Sequence, residues 1–216
     1  MELGEEASTL INQTFKNPTK LIVIGESKGA ELVLLLGSAY SNEIDKIVGI
    51  VPSNHVFWGL GEMSVEVSSW TKKEQPFSYI SLMKLRKEFH LSTIIPFAKY
   101  LLGMIRKKPV TFRKLYEQSV HLSDNKEEAR IKSENFAGEL LLIAGGQDML
   151  WHSDQMAKEI KESRQPLKTE LVIYEEAGHS IGGPHRTSKL ILGGNEEISQ
   201  RCYQDMMKNI VSFCST

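Results

Sequence analysis

The sequence predicts an α/β protein in which helices flank a parallel β-sheet, and two observations support this prediction. Short, continuous apolar runs, typical of strands buried on both faces, alternate with stretches of helical spacing. The chain also has 216 residues, of which 41% are hydrophobic and 25% are charged, and this length and composition suit one substantial core. We therefore expect a single domain over residues 1–216.

The alternation assigns the elements in order along the chain. Four apolar runs are predicted as sheet strands, at residues 21–24, 47–51, 140–144 and 171–174. Apolar spacing predicts helices at residues 5–16, 30–36, 153–161 and 195–213. Because the strands alternate with helices, parallel pairing is expected.

The alternation stops between residues 52 and 139. A long interval between sheet strands usually carries function, so we expect a helical lid insertion over about 54–138. Within it, the run 94–105 is predicted to be a helix with Pro96 in its first turn.

Residues 80–114 carry nine Lys or Arg and one Glu, a local excess of eight positive charges. Three interpretations stay open. The segment is a solvated helical face, a site for polyanionic groups such as the phosphates of a thioester carrier, or a helix lying on a membrane surface.

Composition excludes several other classes. With 26 basic and 27 acidic residues the net charge is −1, so no nucleic-acid partner is expected. Stable membrane insertion is not expected either, since no apolar run reaches about 18 residues. The acidic N-terminus does not resemble a secretory signal. Cys202 and Cys214 are predicted to lie too far apart on one helix to form a disulfide, and a cytoplasmic location is expected.

The segment Gly25-Glu-Ser-Lys-Gly29 is a G-x-S-x-G motif between an apolar strand and an apolar helix. A serine hydroxyl becomes a nucleophile only when it is exposed, oriented and deprotonated by a neighbour. A sharp strand-to-helix turn exposes Ser27, and both glycines are expected to leave room for close backbone passages. The backbone N–H of Lys28 is then the natural first donor to an oxyanion.

Two partners for Ser27 follow later strands in the order Ser, acid, His. Asp148 comes after the strand at 140–144, and His179 after the strand at 171–174. Since the carboxyl ends of parallel strands share one edge, the three side chains should converge. The expected roles are Ser27 as nucleophile, His179 as general base and then acid, and Asp148 as the group that orients the imidazole.

Other candidates are weaker. His55 follows the second strand and could line the site, although a simple loop histidine is equally compatible with its position. His185 is the rival base, but it does not lie at a strand end. No metal site is predicted because H-E-x-x-H and C-x-x-C patterns are absent, and no cofactor is expected.

We call Ser27, Asp148 and His179 the triad. Several stretches extend the pattern beyond these three residues: Gly25-Glu-Ser-Lys-Gly-Ala-Glu31, Pro52-Ser-Asn-His-Val, Gly145-Gly-Gln-Asp-Met-Leu-Trp151-His-Ser-Asp154, Glu176-Ala-Gly-His179 and Leu192-Gly-Gly-Asn195. Together they resemble the C-terminal catalytic domain of the acyl-CoA thioesterase and bile acid-CoA:amino acid N-acyltransferase family. The resemblance implies an α/β-hydrolase fold with nucleophile, acid and base at Ser27, Asp148 and His179. We expect His55 and Trp151, the latter in the Asp-x-x-Trp element, to contact substrate.

The resemblance also implies an activity. Family members that conjugate acyl groups to amino acids carry Cys at the nucleophile position, so Ser27 favours water as acceptor. The leading expectation is a serine hydrolase that cleaves acyl-CoA-type thioesters through an acyl-serine intermediate. The alternatives are a carboxylesterase or peptidase of the same fold, and a truncated, non-catalytic domain that binds an acyl ligand or a partner.

One departure from the family pattern concerns the strands before Ser27. An α/β-hydrolase normally places four strands ahead of the nucleophile strand, whereas only a helix-like segment precedes Leu21. The second oxyanion donor usually comes from that half of the fold, and losing one donor costs about 2.7–4 kcal/mol. The nucleophile strand is then expected to be an exposed edge that a second copy of the chain covers, giving a homodimer.

Overall fold

The computed structural model describes residues 20–59, 66–82 and 91–216. Strands and helices within these residues are named here in chain order. The strands are β1 (Ile22–Glu26), β2 (Lys46–Ile50), β3 (Thr71–Lys72), β4 (Gln75–Pro76), β5 (Glu139–Gly145) and β6 (Thr169–Tyr174). The helices are α1 (Lys28–Ala39), α2 (Leu91–Ile105), α3 (Arg113–His121), α4 (Lys126–Ala129), α5 (Ser153–Ser163) and α6 (Glu196–Ser215), with a 3₁₀ turn at Ser133–Asn135.

The main sheet has four strands in the order β1-β2-β5-β6, and all its pairs are parallel. These strands coincide, within two residues at each end, with the four apolar runs of the sequence. The short strands β3 and β4 form a separate antiparallel hairpin. The predicted parallel sheet is thereby confirmed.

Helices cover both faces of the sheet, as the side-chain alternation along β5 shows. Leu140 and Leu142 pack into a core with α1 and α5, whereas Leu141 and Ile143 pack into a second core with α6. Successive strand residues point to opposite faces, so a strand that is apolar throughout needs a cover on each side. This explains why the strands read as continuous apolar runs.

The segment between β2 and β5 holds β3, β4, α2, α3, α4 and the 3₁₀ turn. Its centre is an aromatic cluster in which the ring of Tyr116 lies 4.6 Å from the rings of both Phe57 and Trp58. Trp151, which follows β5, joins this cluster at 5.3 Å from Tyr116. The segment is thus packed directly against the loop that carries the predicted acid.

Two other predictions have a structural outcome. Helix α2 begins at Leu91, so the prediction that Pro96 lies in the first turn is wrong. The helix continues through a residue that lacks a backbone N–H and gives up one hydrogen bond there. Cys202 and Cys214 are both free, as predicted. The predicted helix at 5–16 lies outside the described residues.

In the part of the chain that the structure describes, no helix combines the length and the apolar character needed to cross a bilayer.

Strand β1 is an edge of the sheet among the described residues, since it pairs only with β2. Ile24, in the middle of this strand, is 52% exposed. An apolar strand edge favours pairing with another chain, so covering of this edge by a second copy stays a prediction.

We expect Ile24→Lys to convert a dimer into a monomer without unfolding the chain, because a charge on an edge strand opposes pairing. Sedimentation velocity measures the change. Val211→Lys, an equally exposed apolar position on α6, serves as the control and should leave the dimer intact. A wild-type monomer with an open β1 in solution scattering would contradict the prediction.

Candidate active site

Ser27 is the single residue that joins β1 to α1. Its backbone has φ 57° and ψ −118°, a conformation that residues other than glycine rarely adopt. Such a conformation costs about 1–3 kcal/mol and persists only where the surroundings fix it. Here the Ser27 N–H donates to the Ile50 carbonyl at 2.9 Å, which ties the turn to the end of β2. The side chain therefore projects from a rigid strand-to-helix turn.

Gly25 makes this turn sterically feasible. A Cβ at Gly25 would lie 2.1 Å from the carbonyl oxygen of Gly29, a distance that no side chain can occupy. A Cβ at Gly29 would meet nothing within 4 Å. The expectation that both glycines leave room for backbone contacts therefore holds for Gly25 alone, while Gly29 supplies the backbone against which Gly25 packs.

The structure brings Ser27, His179 and Asp148 together in one hydrogen-bonded chain. The Nε2 atom of His179 lies 2.8 Å from the Ser27 hydroxyl oxygen, and its Nδ1 lies 2.9 Å from Oδ2 of Asp148. A carboxylate only accepts hydrogen bonds, so Nδ1 carries the proton and Nε2 is left to accept from the serine hydroxyl. This arrangement can deprotonate Ser27 as it attacks an acyl carbon.

The Asp148 carboxylate is fully buried and its orientation is fixed. Its Oδ1 accepts from the backbone N–H groups of Leu150 at 2.9 Å and Trp151 at 3.2 Å. From the other side, the Arg113 guanidinium donates to the Asp148 backbone carbonyl at 2.6 Å. These bonds leave Oδ2 to face the imidazole.

Trp151 supports the imidazole of His179. The two rings meet edge to face at 4.6 Å, and the indole N–H donates to the carbonyls of Val51 and Pro52, each at 3.2 Å. Val51 itself has φ 44°, a strained conformation for a β-branched residue. Trp151 is buried, so its expected contact with substrate stays a prediction.

His55 is buried, and its contacts do not include Ser27, Asp148 or His179. Its Nδ1 lies 2.7 Å from Oδ1 of Asn54, and its backbone pairs with Arg130. Burial lowers the pKa of His55 to about 4, so the ring is neutral at physiological pH. These contacts give its predicted role in substrate binding no support, and the role stays a prediction.

A buried ion pair follows directly after Ser27, and the sequence did not predict it. The Lys28 ammonium lies 2.6 Å from the fully buried carboxylate of Glu31. Burial lowers the pKa of Lys28 and raises the pKa of Glu31, while the pairing opposes both changes. A lysine and a glutamate three positions apart in an otherwise apolar helix were the signal available in the sequence.

The Lys28 backbone N–H, the expected oxyanion donor, is the first in α1. The first N–H of a helix has no acceptor within that helix, so the Lys28 N–H can donate to an anion beside Ser27. The rival base His185 is about half exposed, and its Nδ1 lies 3.4 Å from Glu196. Within residues 20–59, 66–82 and 91–216, no group of three or more His, Cys, Asp or Glu is placed to hold a metal ion.

The difference between the two glycines is testable by unfolding. We expect Gly25→Ala to lower the free energy of unfolding by about 1–3 kcal/mol or more, because its methyl group would overlap the Gly29 carbonyl. The matched Gly29→Ala should raise it by about 0.5–1 kcal/mol through its higher helix propensity. Urea titration measures both, and equal effects would contradict the assignment.

The neutral His55 predicts a stability change with pH. As the pH falls from 6.5 towards 4, the unfolded chain takes up a proton at His55 before the folded chain does, and the folded state loses stability. Once His55 is protonated in both states, the free energy of unfolding is lower by about 3 kcal/mol. In His55→Gln this part of the acid sensitivity should disappear, as measured by urea unfolding across the range. An unchanged pH profile in the variant would contradict the prediction.

Comparison with solved structures found several of similar shape. A carboxylesterase of the thaumarchaeon Nitrososphaera gargenis is 14% identical, with 98% of this chain and 70% of that chain covered and a TM-score of 0.48. The monoacylglycerol lipase of Paleococcus ferrophilus is 14% identical, with 96% and 75% covered and a TM-score of 0.49. A monoglyceride lipase variant of Saccharomyces cerevisiae is 14% identical, with 96% and 66% covered and a TM-score of 0.46.

Comparison with curated proteins gave no match. A model of the family described as BAAT/acyl-CoA thioester hydrolase, C-terminal, matches residues 1–189. The match spans most of the chain and includes the positions of Ser27, Asp148 and His179, so the resemblance noted in the sequence is confirmed. The chain belongs to the BAAT/acyl-CoA thioester hydrolase C-terminal family.

Proposed function

We propose that this chain is a serine hydrolase that cleaves acyl-CoA-type thioesters through an acyl-serine intermediate. The observation that carries the proposal is the hydrogen-bonded chain from the Ser27 hydroxyl through His179 to Asp148, with distances of 2.8 and 2.9 Å. The choice of thioester is supported by the family description, which names acyl-CoA thioester hydrolases.

In the first half of the reaction, the Ser27 oxygen attacks the thioester carbonyl carbon while Nε2 of His179 takes the hydroxyl proton. The carbonyl oxygen becomes an oxyanion. When the tetrahedral intermediate collapses, the C–S bond breaks and the leaving sulfur takes the proton from His179. The products of this half are a free thiol and an acyl ester of Ser27.

In the second half, water replaces the thiol. His179 takes a proton from the water as its oxygen attacks the acyl-serine carbonyl. The bond between the carbonyl carbon and the Ser27 oxygen then breaks, and the serine recovers its proton from His179. A carboxylic acid leaves, and the chain returns to its starting state.

Asp148 and Lys28 assist without forming covalent bonds. Each time His179 becomes an imidazolium, the buried Asp148 carboxylate stabilises its charge and holds the ring in one orientation. The backbone N–H of Lys28 donates to the oxyanion, a contact that exists only while the negative charge is present. Such donors accelerate the reaction because they are already oriented before the charge develops.

The proposal predicts that Ser27→Ala lowers thiol release from acyl-CoA by more than about 10⁴-fold, since the remaining groups provide no nucleophile. Thiol release is measured with a chromogenic disulfide, and covalent labelling by a fluorophosphonate probe at Ser27 is followed by intact mass. His185→Gln is the matched control, because His185 contacts Glu196 rather than the triad, and its activity should equal that of the wild type.

Relative rates on a thioester and an oxygen ester of the same acyl group test the substrate class. Faster cleavage of the thioester supports the proposal, whereas a clear preference for the oxygen ester indicates a carboxylesterase. If the chain binds acyl-CoA but neither releases thiol nor reacts with the probe, it is a binding domain and the proposal is wrong.

A further inference from the structure

A concavity that the triad residues do not line lies between α2, the loop 106–111 and α3. It has a volume of about 890 Å³, and Ser27, Asp148 and His179 do not line it. We call it the α2–α3 groove. Ligand pockets in proteins typically enclose about 300–1,000 Å³, so this groove has room for a small molecule.

The floor and one wall of the α2–α3 groove are apolar. Tyr100, Val110 and Leu115 are buried beneath it. On the α2 side, Ile95 and Leu102 line it while they are 57% and 45% exposed, respectively. When a hydrocarbon covers apolar side chains that are open to water, the free energy of the system falls.

The rim of the groove is cationic, and the described residues that line it include no carboxylate. Its positive side chains are Lys99, Arg106, Lys108, Arg113 and Lys114. Arg113 is engaged, since its guanidinium donates to the Asp148 carbonyl and lies 3.7 Å from Asp154. The other four form no ion pair with any residue in the described ranges. Their charge therefore attracts an anion into the groove.

We propose that the α2–α3 groove binds an amphipathic anion, a linear hydrocarbon chain with one anionic head group. The chain lies over Tyr100, Val110 and Leu115, and the head group lies at the rim beside Arg106 and Lys108. This pairing matches an apolar floor with hydrocarbon, and it matches negative charge with a positive rim that has few ion-pair partners among the described residues. The proposal does not depend on the function proposed for Ser27.

A lipid bilayer is the main rival occupant. Leu101 and Ile105 on α2 are exposed without lining the groove, and such residues could contact a membrane. The concave shape favours the small ligand, because a flat surface covers the rim of a groove and leaves its floor empty. A monomeric amphiphile reaches both at once.

Calorimetric titration of the full chain with dodecanoate, below its micelle concentration, tests the proposal. We expect one molecule per chain, and Arg106→Glu/Lys108→Glu should weaken binding at least about tenfold, because both charges beside the head group are reversed. Leu102→Asn should weaken binding of dodecanoate and of uncharged dodecanol alike, whereas the charge reversal should leave dodecanol binding unchanged. Dodecyl phosphate should show the same charge dependence, which separates the head-group charge from carboxylate chemistry.

The control Lys107→Glu/Lys161→Glu makes the same change in net charge at two exposed positions that do not line the groove. It should retain dodecanoate binding, and a loss as large as that of the groove variant would overturn the proposal. Absence of dodecanoate binding, or binding of the chain to anionic phospholipid vesicles alone, would also overturn it. Ser27→Ala should bind dodecanoate normally, so the groove and the proposed hydrolase activity can fail independently.

Discussion

The passage of β1 into α1 at Ser27 is the constraint on which the rest of the site depends. Only a glycine fits at Gly25 because its Cα faces the Gly29 carbonyl, and this contact brings the end of the strand against the first turn of the helix. The positive φ of Ser27 follows from the same tight passage, and the bond from its N–H to Ile50 stabilises it. The hydroxyl thus has a fixed position before any ligand arrives, which is what catalysis by orientation requires.

The ion pair of Lys28 and Glu31 connects this turn to the segment between β2 and β5. Glu31 accepts from the indole N–H of Trp70 at 2.8 Å, and the Lys28 ammonium donates to the Phe57 carbonyl at 3.3 Å. A buried pair adds little net stability, yet removing one partner leaves an uncompensated charge and costs about 3–5 kcal/mol. Lys28 supplies the first backbone N–H of α1, and its side chain also holds the segment between β2 and β5 in place.

The sequence predicted the four sheet strands and the convergence of Ser27, Asp148 and His179, because both follow from local patterns: continuous apolar runs, a glycine turn, and polar residues at strand ends. Contacts that depend on how distant segments pack were not predictable. His55 follows a strand end as His179 follows another, but its ring pairs with Asn54 rather than the triad. Their local sequences do not separate the two histidines, and the distinguishing signal is chain order, because His179 follows Asp148 whereas His55 precedes it.

Arg113 shows how the α2–α3 groove and the triad share structural support. It begins α3, lines the groove, and donates to the backbone carbonyls of Gly146 and Asp148 at 3.3 and 2.6 Å. Met149, the residue after the acid, also lines the groove. The wall of the groove therefore includes residues of the same turn that holds the Asp148 carboxylate against His179. Arg113 therefore acts directly on the turn that carries the Asp148 carboxylate, whereas Ser27 is held independently by the bond from its N–H to Ile50 at the end of β2.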